Sequence, residues 1–160
     1  GRSRAEAAYY THFNDKYSGI STWHKSLAKE AIATKKITNV SGRQYAFPDV
    51  QRRPRGKVSH FTMIKNYPVQ GLATADIVPV VVMELEERLR LLQSCVVNTV
   101  HDSAVVDVHP KEINYVLQII DDLNKDLDNI IHEAYGIEMC VPMLLEAKIG
   151  DNWLDTLDVV

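Results

Sequence analysis

Long apolar runs, cysteine and leader-like segments are what this sequence lacks. No stretch of 18 or more apolar residues occurs, and the longest, residues 77–83, is interrupted by Pro79; no membrane span is expected. The N-terminus, Gly-Arg-Ser-Arg-Ala-Glu, has no apolar core of the kind a secretory leader needs. There are only two cysteines, Cys95 and Cys140, each beside apolar neighbours. That context predicts two buried, reduced thiols rather than a disulfide, and a cytoplasmic chain. No His-x-His or His-Glu-x-x-His spacing and no internal repeat is present. What remains is ordinary globular composition, with 160 residues, 46% hydrophobic and 24% charged, enough for one real core.

A net charge of −3 argues against a strong nucleic-acid binder, but its distribution argues otherwise. Residues 35–65 carry eight Lys/Arg and one Asp, whereas residues 84–160 carry five Lys/Arg and sixteen Asp/Glu. A basic segment on an acidic body suits a protein that grips phosphates with one edge. A solvated loop is the plain alternative.

Periodicity predicts a helix over residues 3–14, with Ser3 and Glu6 as a capping box, broken at residues 17–19. A second helix is predicted over 21–35, with Trp23, Leu27, Ala28 and Ala31 on its buried face. Residues 36–47 read as a hairpin turning at 39–43, and residues 48–57 as a mobile basic loop. A long helix, apolar nearly all round and kinked at Pro79, should run from Tyr67 or Gly71 to Leu92. Two strands over 95–108 should turn at Asp102-Ser103. A helix over 111–135 follows, with Ile113, Val116, Leu117, Ile120, Leu123, Leu127, Ile130 and Ile131 as its stripe and Gly136 as its stop. A last strand is expected over 139–149. The order suggests an α+β fold, an antiparallel sheet with packed helices.

Asp102 is the first candidate for chemistry. A carboxylate at the tip of a hydrophobic hairpin is exposed on a rigid backbone, which suits a hard cation such as Mg²⁺. On the hairpin alone, an ordinary turn Asp is the commoner reading. A zinc cluster of His101, His109 and Asp107 is opposed by strand alternation. Asn66, Tyr67 and Gln70 at a helix start offer groove donors and a stacking face, or simply a helix cap.

Taken together, these segments resemble family A (Pol I-like) DNA polymerases. Asn66-Tyr67-Pro68-Val69-Gln70-Gly71, followed by Ala73-Thr74-Ala75-Asp76-Ile77, resembles that family's Asn-x-Pro-x-Gln-Gly-x-Ala-Ala-Asp helix. About thirty residues on, Val100-His101-Asp102-Ser103 is similar to its final Val-His-Asp-Glu motif. Phe13-Asn14-Asp15-Lys16-Tyr17-Ser18-Gly19-Ile20 and Gly42-Arg43-Gln44-Tyr45-Ala46-Phe47-Pro48 resemble two upstream motifs. Gly150-Asp151-Asn152-Trp153 resembles the ending of phage-type members.

The resemblance implies the C-terminal part of a polymerase domain: fingers-type helices over 1–36, hairpin and basic loop over 37–65, palm over 66–160. It implies a DNA-directed DNA polymerase acting on primer–template DNA and dNTPs by two-metal nucleotidyl transfer. Asp102 is then a Mg²⁺ ligand and His101 lies near the primer terminus. Asn66 and Gln70 would meet the minor groove. Arg43, Lys65, Arg52, Arg53, Arg55 and Lys57 would meet DNA. Ser103 stands where the family usually has Glu, an outer-shell position at most, and Thr62 stands where it often has Arg. The family's other catalytic Asp is not in the sequence, so the chain is expected to be inactive without an N-terminal partner, fragment or subunit. If viral, it would work in the infected host's cytoplasm. A non-catalytic DNA-binding accessory and a zinc hydrolase built on His101, Asp102 and His109 are the alternatives.

Overall fold

The computed structural model describes residues 2–159, with the side chains of residues 2, 3, 9, 12–15 and 55 outside the description. The fold is a mixture of helices and short antiparallel strands, as expected, and the chain divides into two compact units, Gly1–Val69 and Gln70–Val160.

In the first unit, α1 (Arg2–Lys16) and α2 (Ser18–Thr34) are separated at Tyr17. The expected capping box falls on Ser3, whose side chain lies outside the described residues. Leu27, Ala28 and Ala31 form the buried face of α2, but Trp23 is 38% exposed and does not join it. Helix α2 stops because Lys35 turns left-handed at φ 61°, donating its N–H to the Ala31 carbonyl at 2.9 Å. The chain then enters the β1 (Lys36–Thr38)–β2 (Gln44–Ala46) ribbon, with Ile37 opposite Tyr45. Ile37, Phe47, Val50 and Ile64 close over Leu27 and Ala31. The basic loop carries local backbone structure. Arg52 bridges Val58, the Arg53 N–H reaches the Lys57 carbonyl at 2.7 Å, and Pro54–Gly56 forms a single 3₁₀ turn.

The long helix begins earlier than expected. Helix α3 spans Phe61–Gln70 and holds Pro68 inside it, because fully buried Ile64 draws the preceding turn into the core. A π-helical segment, Gly71–Ile77, leads into α4 (Val78–Leu89). Here the Val78 N–H bonds the Ala73 carbonyl, five residues back. The wider turn relieves the crowding that the Pro79 ring imposes on the preceding carbonyls. Thr74 Oγ1 donates to the Gln70 carbonyl at 2.8 Å.

In the second unit, Ile77, Val81, Leu85 and Leu89 pack with Val116, Leu123, Leu127 and Ile131 of α5 (Ile113–Tyr135). Helix α4 is thus buried on one stripe, not all round: Met83 is 68% exposed. By length and composition alone the run Phe61–Leu89 could cross a membrane, yet its buried residues are core positions. Gly136, at φ 66°, stops α5 as expected.

Strands β3 (Cys95–Val100) and β4 (Ser103–Asp107) form an antiparallel hairpin with an irregularity between Val96 and Asn98. Both cysteines are free thiols, as expected, but exposed, contrary to expectation. Apolar neighbours in sequence do not specify which strand face is covered. The expected last strand is also different: only β5 (Lys148–Ile149) and β6 (Leu157–Asp158) form a ladder. Residues before it run without a partner strand, held by Asn124, whose side chain donates to the Leu145 carbonyl at 3.1 Å and accepts its N–H at 2.6 Å. In the β5–β6 loop a Cβ on Gly150 would collide with the Asp155 carbonyl, so only glycine fits.

Candidate functional site

The hairpin tip is built from a two-residue turn. Val100 pairs with Ser103, which leaves His101 and Asp102 as the turn, one residue earlier than the sequence suggested. His101 adopts φ 55°, a left-handed conformation uncommon outside glycine and tolerated better by His than by most residues. Both side chains are exposed. Asp102 makes no hydrogen bond or ion pair among the described residues, so both its oxygens face solvent. Ser103 instead closes the turn by donating its hydroxyl to the Val100 carbonyl at 2.8 Å.

Glu112 anchors the far end of the hairpin. Its carboxylate accepts the Gln93 N–H at 3.0 Å, the Ser94 N–H at 2.9 Å and the Ser94 hydroxyl at 2.7 Å. Ser94 Oγ in turn accepts the His109 N–H at 3.0 Å. The Ser94 hydroxyl, with the Gln93 N–H behind it, holds Glu112 below the usual Glu range. Sequence inspection missed this residue. The signal was an acid just ahead of an apolar stripe, which reads as a solvated helix start.

His109 belongs to that anchor, beyond the end of β4, and not to the tip; its Nδ1 accepts the Lys111 N–H at 3.3 Å. Among the described residues no group of three or more His, Cys, Asp and Glu could together hold a metal. One exposed carboxylate oxygen donor, with no thiol beside it, suits part of a Mg²⁺ shell and leaves the remainder to other donors.

Asn66 and Gln70 are exposed and four residues apart on α3, hence on one helix face. Tyr67 is drawn onto the first hairpin instead, with ring centroids 5.5 Å from Tyr45 and 5.8 Å from Phe47. Lys65 lies over the Phe61 ring at 4.7 Å. Arg43, Arg52, Arg53 and Lys57 are exposed on the first unit; the Arg55 side chain lies outside the described residues. Asn39, read in the sequence only as the start of a turn, is buried and donates to the Pro68 carbonyl at 3.0 Å, tying the first hairpin's turn to α3.

The sequence matches the DNA polymerase family A profile over residues 1–155. DNA polymerase I of Lactococcus lactis subsp. cremoris (strain MG1363) is 28% identical over 162 residues, covering 97% of this chain and 17% of that protein. The thermostable DNA polymerase I of Thermus filiformis is 24% identical over 149 residues, covering 92% of this chain and 17% of that protein. The chain therefore spans about a sixth of the length of these relatives. Its fold is similar to the POL domain of Pol1 from M. smegmatis, solved in complex with DNA primer-template and dNTP, with a TM-score of 0.67 and 21% identity over 81% of this chain and 23% of that one. A profile match over nearly every residue, joined to that fold, means that the chain belongs to DNA polymerase family A.

Proposed function

We propose that these residues are the C-terminal portion of the polymerase domain of a DNA-directed DNA polymerase, working by two-metal nucleotidyl transfer. The observation that carries the reading is Asp102, unpartnered and exposed on the two-residue tip of a rigid hairpin. Asp102 supplies one carboxylate to a Mg²⁺ site, and the second comes from a polymerase portion outside these 160 residues. Two-metal chemistry supplies Lewis acidity to the primer 3′-hydroxyl and to the triphosphate. His101 sits beside the primer terminus, oriented by its left-handed backbone. Asn66 and Gln70 donate from one helix face to the minor groove, whose degenerate pattern checks pair shape rather than sequence. Arg43, Arg52, Arg53, Arg55, Lys57 and Lys65 contact DNA, Lys65 standing near the position where the family often has Arg. Fingers, basic loop and palm fall over 1–36, 37–65 and 66–160. A phage-type origin is part of this reading, supported by the Gly-Asp-Asn-Trp ending. So is a cytoplasmic setting.

Mixing the chain with a family A N-terminal polymerase fragment, Mg²⁺, primer–template and dNTPs tests this. Primer extension should appear only in the mixture, and Asp102→Asn should lower its rate by at least about 100-fold, the scale of losing a group that stabilises transition-state charge. Full activity in the Asp102→Asn mixture refutes the metal role. The Ser103 hydroxyl, spent on the Val100 carbonyl, favours one second reading, a non-catalytic DNA-binding accessory. Primer–template binding with no extension in any mixture would select it.

A further inference from the structure

The hairpin that carries Asp102 is a lever held at its foot. Six residues of β3, at about 3.3 Å each, put the tip about 20 Å from Ser94. Half-buried Val96, Val106 and Val108 pack on the core near the foot. Among the described residues none from Val97 to Ala104 is buried, so the outer half of the lever takes no direction from that core. The ladder is also irregular between Val96 and Asn98, a feature that bends strands locally. Apolar contact holds the foot down but is non-directional, whereas hydrogen bonds have preferred angles.

Ser94 supplies those directional bonds. It is 2% exposed and immediately precedes β3. Its hydroxyl donates to a Glu112 oxygen at 2.7 Å and accepts the N–H of His109, beyond the end of β4, at 3.0 Å. Its own N–H donates to the same Glu112 oxygen at 2.9 Å. Glu112 is the N-cap residue of α5, and its N–H donates to the His109 carbonyl at 2.8 Å. One buried hydroxyl thus ties the entry of the hairpin to its exit, and both to the start of α5. A hydroxyl that only needed a partner could bond a carbonyl a few residues back, as those of Thr74 and Ser103 do. A tilt of about 3° at this foot moves the tip by about 1 Å, twice the tolerance of about 0.5 Å within which a metal-binding group must be held.

We propose that Ser94 is a positioning residue for nucleotidyl transfer: through its link to Glu112 and His109 it sets the angle of the hairpin, and so the place of the Asp102 carboxylate. Ser94 touches neither substrate nor metal. It acts on the reaction only by keeping the tip where the second carboxylate, from outside these residues, can share an ion with it. The inference rests on the reading of Asp102 as a Mg²⁺ ligand.

The test has two arms. In the first, the full chain is mixed with a family A N-terminal polymerase fragment, primer–template and dNTPs, and extension is titrated with Mg²⁺. Ser94→Ala should raise the Mg²⁺ concentration for half-maximal rate about ten-fold, with the deficit shrinking at saturating Mg²⁺. Ser94→Thr, which keeps the hydroxyl, should stay within about two-fold of wild type. Glu112→Gln should shift the midpoint in the same direction. The double variant Ser94→Ala/Glu112→Gln should go no further than the larger single effect, because both break one link. In the second arm, on the chain alone, Ser94→Ala should speed amide exchange along the β3–β4 ladder at least about five-fold, with α5 amides within about two-fold. A rate lowered by one factor at every Mg²⁺ concentration is a loss of folded protein and overturns the proposal. An unchanged midpoint in Ser94→Ala and Glu112→Gln overturns it whatever the exchange shows, and leaves the polymerase reading standing. Unchanged ladder exchange overturns it as well, since the lever would then not be held by this bond. No extension by the wild-type mixture overturns the polymerase reading and this inference with it.

Discussion

In the unit Gln70–Val160, four of five basic residues are held in ion pairs. Arg88 bridges Glu84 and Asp126 at 2.8 Å each, Arg90 meets Glu87 at 3.1 Å, Lys125 meets Asp121 at 2.7 Å, and Lys148 meets Asp158 at 3.0 Å. In the unit Gly1–Val69, Lys25, Lys29, Arg52 and Lys57 have no such partner among the described residues. The first unit carries thirteen Lys/Arg against four Asp/Glu, the second five against seventeen. The second unit neutralises four of its cations internally; in the first, Lys25, Lys29, Arg52 and Lys57 stay exposed to solvent. A net charge near zero conceals both facts, because the sum cancels opposed fields.

The sharpest way to break this contrast is through the cores. Leu127 is 1% exposed, and Leu127→Ala should destabilise the second unit by about 2–5 kcal/mol through lost burial and a residual cavity. Amide exchange should then accelerate across Gln70–Val160 before Gly1–Val69. Equal acceleration in both would mean one cooperative body and end the comparison.

A smaller effect separates structural charge from functional charge by pH. The Glu112 pKa is depressed below the ordinary 4.5. The sign follows from linkage: its stabilisation is present above 4.5 and lost as pH falls through the lower folded value. The stability gap between wild type and Glu112→Gln should therefore shrink on acidification from neutrality to below that range. A gap constant with pH would show that the carboxylate's charge is not what the Ser94 and Gln93 bonds reward.

The smallest effect is the most diagnostic of partner. Arg53→Gln in the first unit should lower the slope of log affinity for duplex DNA against log salt by about 0.9, one phosphate contact. Lys125→Gln, already paired in the second unit, should leave the slope unchanged. Equal changes in both would show that the two units do not divide their charges by role.

Much of this was legible because it is periodic. The α5 stripe repeats at helical spacing, so Val116, Leu123, Leu127 and Ile131 were readable as core, and Gly136 as its stop. The β3–β4 hairpin was readable from its β-branched residues, but its tip was displaced by one residue, since turn register depends on which backbone accepts positive φ. His101 does, at 55°. Trp23, Cys95 and Cys140 went astray for one reason: apolar character says that a residue can be buried, not that anything covers it. The start of α3 was placed too late: the helix begins at Phe61, and its first turns bury Ile64 with Pro68 inside the helix.

The amino-acid sequence by itself determined the family, the order of elements, the polarity of charge along the chain and Asp102 as the residue to watch. Those are properties of local pattern and motif spacing. Only the tertiary structure decided that Ser103 closes a turn, that Glu112 anchors the hairpin, and that Lys25 and Lys29 face Arg52 and Lys57 across one cavity. The last two depend on residues that local spacing does not place together and that meet through packing; the first depends on the register the hairpin adopts.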